Sequence, residues 1–255
     1  MQDMASFKQR LAQGKAVSGP FMKTGDAAFV EIAGYAGFDF CILDTEHGPA
    51  DALSLQDHVR AAQVAGILPI VRVHELSESA IGKALDIGAA GVQVPQVTDA
   101  EQARRAVACA KFHPQGSRGV CRFVRAARYS ATDRFTYFQQ ANDTLVVLQL
   151  EGQQALENLD DILQVPGVDI LFIGPYDLSQ SLGLTGQTDH PRVVEQMMEI
   201  TRRAAARGRV VGTFLDRVAD AEKWRRAGVQ YLSYSTDMGI FLEACQAAAG
   251  AIRGE

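Results

Sequence analysis

Short apolar runs alternate with amphipathic segments along almost the whole chain. Eight runs are rich in β-branched and aromatic residues and apolar at nearly every position, which is typical of parallel strands buried on both faces. The segments between them repeat apolar residues at helical spacing. The predicted strands are residues 16–22, 38–44, 68–73, 91–97, 144–151, 168–174, 209–215 and 230–236.

Eight strands that each precede a helical segment predict a (β/α)8 TIM barrel. A doubly wound sheet is the alternative, but its GxGxxG dinucleotide motif is absent after the first strand, where the sequence is FMKTGD. Residues 113–142 form the longest interruption and should end in an amphipathic helix; a segment of this length in a barrel is usually functional. Without a Pro/Ser-rich linker, residues 1–255 are expected to form a single barrel domain.

Composition narrows the class of protein. Of the 255 residues, 47% are hydrophobic, which is enough for a large core. The net charge of −5 and the lack of a basic stripe disfavour a nucleic-acid partner. No run approaches the roughly 18 apolar residues of a membrane span, and the first residues lack the apolar core of a secretory signal. We therefore expect a cytoplasmic protein with no membrane partner, whose four cysteines are reduced.

Ionisable side chains collect where several of these strands end. The stretch CILDTEHGPAD passes from an apolar strand into Asp44, Glu46 and His47. Side chains at the carboxyl ends of barrel strands face the active site. Glu46 receives no catalytic role and is expected to face solvent or to support the loop. The other strand ends contribute Arg72, Gln149, Glu151, Gly174, Pro175, Tyr176 and Asp177.

Each of these side chains also has a structural interpretation. Asp177 resembles the N-cap of the next helix. His47 by itself would more often be structural, but three residues after Asp44 it is a candidate for a carboxylate-oriented base. Glu151 is disfavoured inside a strand, and a buried carboxylate needs a cation or strong donors. A buried Arg72 likewise needs an anion.

Two of the carboxylates suit a divalent metal ion. Glu151 and Asp177 have no cysteine or histidine ligands nearby, which favours a hard ion such as Mg²⁺ or Mn²⁺. Two protein ligands leave coordination positions open, and a 2-oxo acid can fill two of them.

The chain resembles the HpcH/HpaI aldolase family, the metal-dependent class II pyruvate aldolases on a TIM barrel. The segments that carry the resemblance occur in family order over nearly the whole chain. They are AGFDFCILDTEHGP, PIVRV, LDIGAAGVQVPQV, PQGSRGV, LQLEG, VPGVDILFIGPYDLSQSLG and GTFLD. The resemblance implies reversible cleavage of a 4-hydroxy-2-oxo acid to pyruvate, or a close 2-oxo acid, and an aldehyde. It also implies bound Mg²⁺ or Mn²⁺, with Co²⁺ and Zn²⁺ as further candidates.

The resemblance assigns roles to individual residues. Glu151 and Asp177 would hold the metal ion. Arg72 would bind the keto oxygen and stabilise the enolate. His47, paired with Asp44, would be the acid–base group. The pyruvate site would be lined by Gln149, Gly174, Pro175 and Tyr176.

The resemblance also implies an assembly. Asp86 matches a family aspartate that reaches the active site of a neighbouring subunit. Family members form hexamers, as trimers of dimers that exchange their last helix, and residues 238–252 would be that helix.

Three departures from the family concern the substrate. Residues 23–26, Lys-Thr-Gly-Asp, replace a small-x-Pro stretch after the first strand. Tyr176 stands where a smaller residue is common. Arg122, Arg125 and Arg128 either lie on a solvated or interface-facing helix, or one or two of them receive a far anionic group of the acceptor, which arginine binds in bidentate fashion.

Other functions stay open at this point. Citrate-lyase-like and malyl-CoA-lyase-like enzymes and oxaloacetate decarboxylases share the barrel and the acid pair. A non-catalytic oligomer that binds 2-oxo acids is a further alternative. A Schiff-base aldolase would need a lysine at a strand end, and of the six lysines only Lys23 lies near one.

Overall fold

The computed structural model describes residues 4–254, and it confirms the (β/α)8 barrel. Eight parallel strands close in chain order, with the first paired to the eighth. Every strand lies within its predicted range. The strands are β1 (Val17–Met22), β2 (Phe40–Asp44), β3 (Leu68–Arg72), β4 (Gly91–Val94), β5 (Leu145–Leu150), β6 (Ile170–Ile173), β7 (Val210–Leu215) and β8 (Tyr231–Thr236).

Helices follow the strands and cover the outside of the barrel. The helix expected near the end of residues 113–142 is present as Arg134–Gln140. The helices are α1 (Met4–Ala12), α2 (Ala28–Tyr35), α3 (Ala52–Ala65), α4 (Glu78–Asp86), α5 (Ala100–Ala110), α6 (Arg134–Gln140), α7 (Gln153–Glu157), α8 (Leu159–Leu163), α9 (Pro175–Ser181), α10 (Pro191–Ala206), α11 (Ala221–Ala227) and α12 (Asp237–Arg253).

Aromatic side chains fill the amino-terminal half of the barrel interior. The rings of Phe40 and Tyr231 stack with their centroids 3.9 Å apart. Phe7 of α1 meets Phe40 edge to face and closes this end. Gly19 makes this packing possible, because a Cβ there would lie 2.0 Å from the carbonyl oxygen of Phe40. Polar chemistry inside the barrel is therefore displaced toward the carboxyl ends of the strands.

Residues 113–142 lie at the amino-terminal end of the barrel, because they connect α5 to the start of β5. Arg125 in this segment donates to the carbonyl oxygen of Ile87, just before β4. The segment is thus on the side of the barrel away from the strand carboxyl ends, which limits what it contributes to the site of its own subunit.

Helix α12 leaves the barrel wall. Asp237 at its start is buried and accepts hydrogen bonds from the backbone N–H groups of Lys23 and Thr24. Beyond this anchor the apolar side chains Phe241 and Ile252 are 58% and 87% exposed. Phe241 meets the ring of Phe29 edge to face, with the centroids 6.0 Å apart, but most of the apolar side of α12 stays exposed.

Two further features bear on the class of protein. All four cysteines are unpaired thiols, and Cys41 and Cys109 are buried. Among residues 4–254, every helix is too short or too polar to cross a membrane.

Candidate active site

A buried salt bridge joins the ends of β2 and β3. Asp44 and Arg72 are direct neighbours in the strand register. Arg72 donates from Nε to Asp44 Oδ1 at 2.9 Å and from Nη2 to Oδ2 at 2.7 Å. The guanidinium also lies over the ring of Phe21, 4.7 Å from its centroid. These contacts fix the plane of the guanidinium in a fork that Lys could not reproduce.

Asp44 does not pair with the imidazole of His47, and that part of the prediction is wrong. Asp44 Oδ1 accepts the backbone N–H groups of Glu46 and His47, while Arg72 takes the rest of the carboxylate. Burial would raise the pKa of Asp44, but the hydrogen bonds and charge of Arg72 outweigh it and lower the pKa. The imidazole is 61% exposed, with Nε2 3.9 Å from Glu46 Oε2. Asp44 is therefore an anion that orients Arg72.

The expectation that Glu46 faces solvent or only supports the loop is also wrong. Its side chain is 9% exposed, and Oε2 lies 3.0 Å from Arg72 Nη1. The contact is an ion pair without hydrogen-bond geometry, since Oε2 has no hydrogen-bond partner within residues 4–254. Burial raises the pKa of Glu46, with Arg72 acting against it and the charge of Asp177 adding to it. Glu46 therefore belongs to the same electrostatic cluster as Asp177, in the first turn of α9.

Glu151 and Asp177 face one small space beside Gly174. A Cβ on Gly174 would lie 3.5 Å from Glu151 Oε1 and 3.6 Å from Asp177 Oδ2. The glycine therefore keeps open a gap that a side chain would fill. The N-cap of α9 is Gly174, so the N-cap interpretation of Asp177 is wrong. The Asp177 carboxylate sits in the first turn of α9, where a helix N-terminus stabilises negative charge.

A chain of buried amides holds Glu151 in place. Gln93 of β4 donates to Gln149 at 2.5 Å, and Gln149 donates to Glu151 Oε1. Gln96 adopts a left-handed φ of 55° and directs its backbone N–H to Glu151. Gln93 was not among the predicted site residues, although a glutamine in the apolar run GVQV is the same signal as the one in LQLE. Such a network fixes the carboxylate that it surrounds.

The pKa of Glu151 is raised to about 8, first by burial, then by the charges of Asp177 and Glu46, with Arg72 acting against the shift. Raised values of this kind mark a place where negative charge is poorly compensated. A cation in the gap would lower this pKa and favour the charged form of Glu151 at neutral pH.

The residues present fit a hard divalent cation. No three His, Cys, Asp or Glu side chains among residues 4–254 form a closed metal cage. A cage is not needed, because Mg²⁺ is commonly held by one or two carboxylates with water and substrate in the remaining positions. The charges also favour a cation, since the cluster contains four carboxylates and only two permanently cationic side chains. They are Asp44, Glu46, Glu151 and Asp177, against Lys23 and Arg72.

A pocket of about 270 Å³ opens beside these groups, and Lys23, Arg72 and Asp177 line it. Its apolar wall consists of Phe21, Phe172 and Phe214. Tyr176 forms part of the rim and donates its hydroxyl to Asp216 at 2.7 Å. The remaining lining includes Lys23, His47, Arg72, Gln149, Gly174, Pro175 and Asp177. The pocket therefore combines an apolar side, which suits a short carbon chain, with a charged side.

Three predicted site residues lie elsewhere. Asp86 ends α4 at the opposite end of the barrel and accepts from the buried Arg118 at 2.7 Å. Arg125 is engaged at that same end, and Arg122 is exposed with its guanidinium over the ring of Phe123. Arg122 and Arg125, which were predicted to bind substrate, do not line the site of their own barrel, because an α-to-β connection is on the far side of the barrel from the site.

Comparisons with known proteins agree with this geometry. The family model described as HpcH/HpaI aldolase/citrate lyase matches residues 18–244. A 2-keto-3-deoxy-L-rhamnonate aldolase of Klebsiella pneumoniae is 38% identical over 93% of this chain and 89% of its own. A 2-dehydro-3,6-dideoxy-6-sulfogluconate aldolase of Pseudomonas putida is 36% identical over 96% of this chain and 95% of its own.

A solved structure extends the likeness to the fold. It is that of an HpcH/HpaI aldolase/citrate lyase family protein from Burkholderia cenocepacia, with a TM-score of 0.92 and 33% identity. The match covers 97% of this chain and 99% of that one. The match of the family model over most of the chain, together with these relatives, shows that the chain belongs to the HpcH/HpaI aldolase/citrate lyase family.

Proposed function

We propose that this protein is a class II, metal-dependent aldolase. It would cleave a 4-hydroxy-2-oxo acid reversibly to pyruvate, or a close 2-oxo acid, and an aldehyde. One observation carries the proposal. The same end of the barrel holds a guanidinium of fixed orientation, Arg72, and two carboxylates, Glu151 and Asp177, that share an open gap. The sugar acids in the names of the relatives support a 2-keto-3-deoxy acid as the substrate class.

In this proposal Glu151 and Asp177 hold the ion, which is Mg²⁺ or Mn²⁺, with Co²⁺ and Zn²⁺ as further candidates. A bound divalent ion supplies Lewis-acid polarisation of the keto group. Gln149 keeps Glu151 in the orientation needed for binding through its hydrogen bond to Oε1. The backbone of Gly174 and Pro175 and the side chain of Tyr176 line the place of the 2-oxo acid.

The protein side chains then divide the chemistry between them. His47 takes the proton of the C4 hydroxyl, directly or through water. The C3–C4 bond breaks, C4 becomes the aldehyde carbonyl, and the bonding electrons pass into the enolate of pyruvate. Arg72 donates to the enolate oxygen, since its Nη1 is not hydrogen-bonded to Glu46. Return of a proton to C3 completes pyruvate, and Asp44 keeps Arg72 in position throughout.

The oligomeric state is a further part of the proposal. A groove of about 1080 Å³ runs along the outside of β1, β7 and β8 beside α11, and is lined by outward-facing residues such as Leu215 and Leu232. In a (β/α)8 barrel the helix after β8 covers this wall, but α12 points away and exposes its apolar side. We propose that the groove receives α12 of a partner, in a hexamer built as a trimer of dimers. Asp86 would then approach the site of a neighbouring subunit.

A retro-aldol screen tests the proposed activity. Hydroxy-oxo acids with neutral and acidic tails are incubated with the protein, and pyruvate is measured. We expect pyruvate release that EDTA abolishes and that Mg²⁺ or Mn²⁺ restores, whereas borohydride with pyruvate leaves the enzyme active. Glu151→Gln, which keeps the shape of the side chain without its charge, should not respond to added metal.

Other outcomes of the screen contradict the proposal. Loss of activity on borohydride treatment with insensitivity to EDTA would identify a Schiff base at Lys23. Cleavage of citrate-type or acyl-CoA substrates, or decarboxylation of oxaloacetate alone, would identify a relative with different chemistry. Binding of pyruvate and Mg²⁺ without any turnover would identify a non-catalytic binder.

Replacing His47 tests the acid–base group with little risk to the fold, since the imidazole is mostly exposed. We expect His47→Ala to lower kcat by at least about a hundredfold, the usual size of a general acid–base contribution, with Tm unchanged. His74→Ala is the matched control, because His74 is equally exposed and follows β3 outside the pocket. Near-normal turnover of His47→Ala would remove His47 from the mechanism.

Substitutions in α12 test the exchange of this helix. Phe241 and Ile252 lie on the same side of the helix, and aspartates there should disfavour burial in a partner's groove. Light scattering should show six chains of 27.6 kDa for the natural protein and a smaller assembly for Phe241→Asp/Ile252→Asp. Ala247→Asp, which lies roughly 120° to 140° around α12 from Phe241 and Ile252, should keep the full mass. Equal masses for all three would exclude α12 from the interface.

A further inference from the structure

Lys23 places an ammonium group in the pocket, where it forms an ion pair but no hydrogen bond with the described residues. The residue follows β1 directly, and the buried Asp237 fixes its backbone N–H through both carboxylate oxygens, each at 3.0 Å. The side chain is only 22% exposed and lines the pocket over Arg72. No hydrogen bond from its Nζ is formed within residues 4–254, where its ion-pair partner is Asp44, so N–H donors of the ammonium remain for a ligand.

The contact with Asp44 does not satisfy the hydrogen-bonding groups of the Lys23 ammonium. The two groups form an ion pair, with Nζ 3.3 Å from Asp44 Oδ2. That oxygen already accepts Arg72 at 2.7 Å, and the other accepts Arg72 Nε and two backbone N–H groups. Asp44 is therefore satisfied without Lys23. The ion pair with Asp44 offsets part of the cost of desolvating the ammonium, and a ligand anion that accepts its N–H donors would offset more.

The topology places Lys23 opposite the proposed metal ligands. In a closed barrel of eight strands, β1 faces β5 across the axis, so the backbone of Lys23 lies opposite that of Glu151, while its Nζ lies beside Asp44 at the end of β2. Such a barrel is roughly 15 Å across between backbones, from its strand spacing and tilt. A short substrate with its 2-oxo acid end at Glu151 and Asp177 presents its other end to Lys23.

We propose that Lys23 determines specificity by binding an anionic group, such as a carboxylate or a sulfonate, at the far end of the aldehyde half of the substrate. The inference rests on the proposed aldolase function and names its substrate class. Lys23 would provide a cation for this anionic group within the same subunit, which Arg122 and Arg125 do not provide. The aromatic wall formed by Phe21 and Phe214 suits the short carbon chain between the two ends.

Two substrates that differ only at C6 test this role. Both are six-carbon 4,5-dihydroxy-2-oxo acids, one ending in a carboxylate and the other in a methyl group, and kcat/KM is measured for each. We expect the natural enzyme to prefer the carboxylate tail. Lys23→Met should lower the ratio of the two kcat/KM values about ten- to a hundredfold, the usual worth of a charge-assisted hydrogen bond.

Matched variants separate a specific contact from a general charge effect. Lys23→Arg should keep most of the preference, because it retains a donor cation. Lys223→Met removes the same charge from the exposed surface of α11 and should keep the natural ratio. Raising the salt from about 0.05 to about 0.5 M should reduce the preference of the natural enzyme, since a partly exposed ion pair is screened.

The results that overturn the inference are distinct from those that overturn the aldolase function. Exchange of the C3 protons of pyruvate in D2O needs no tail, and its absence from the natural enzyme would contradict the aldolase chemistry itself. With exchange present, the role of Lys23 is contradicted if Lys23→Met lowers both kcat/KM values equally, or if the natural enzyme shows no preference. Covalent trapping of pyruvate on Lys23 by borohydride would also contradict it.

Discussion

The hydrogen-bonded pair of Asp44 and Arg72 is the interaction on which the rest of the site depends. The pair follows from strand register, because the last residues of β2 and β3 are direct neighbours. A buried guanidinium without an anion would be strongly destabilising, and so would the carboxylate alone. In the pair, Asp44 fixes the orientation of the Arg72 guanidinium at the mouth of the barrel. The strength of the pair also explains why His47 has a different neighbour.

Around this pair the mouth of the barrel collects more negative than positive charge. Glu46 contacts Arg72 from one side, and Glu151 and Asp177 face each other across the gap at Gly174. The pKa of Glu151 rises because burial and its acidic neighbours disfavour a further anion. A divalent cation in the gap would offset this charge, and a 2-oxo acid would complete its coordination. The aromatic packing at the other end of the barrel keeps the chemistry on one side.

The fold and most of the site could be predicted from the sequence because burial on both faces leaves continuous apolar runs, and the acids stand directly after them. The predictions that were wrong concern which side chains contact each other. Sequence spacing placed Asp44 beside His47, whereas the register with β3 places it beside Arg72. Glu46 was predicted to face solvent or support the loop because it follows the strand, although its side chain turns inward. Lys23 had a signal, a lysine directly after the first strand, but the absence of a hydrogen bond from its Nζ among residues 4–254 is visible only in three dimensions. The position of Arg125 follows from topology, since residues 113–142 connect a helix to a strand.

Binding of Mn²⁺ to the EDTA-treated protein, followed by the spectroscopic signal of the free ion, tests the central claim most directly. The account predicts one ion per chain, with binding at least about a hundredfold weaker in Glu151→Gln and in Asp177→Asn, each of which removes one of two charged ligands. Affinity should also fall as the pH drops below about 8, because the ion must displace the proton that the raised pKa of Glu151 retains. Unchanged Mn²⁺ binding in both variants, or none in the natural protein, would contradict the account.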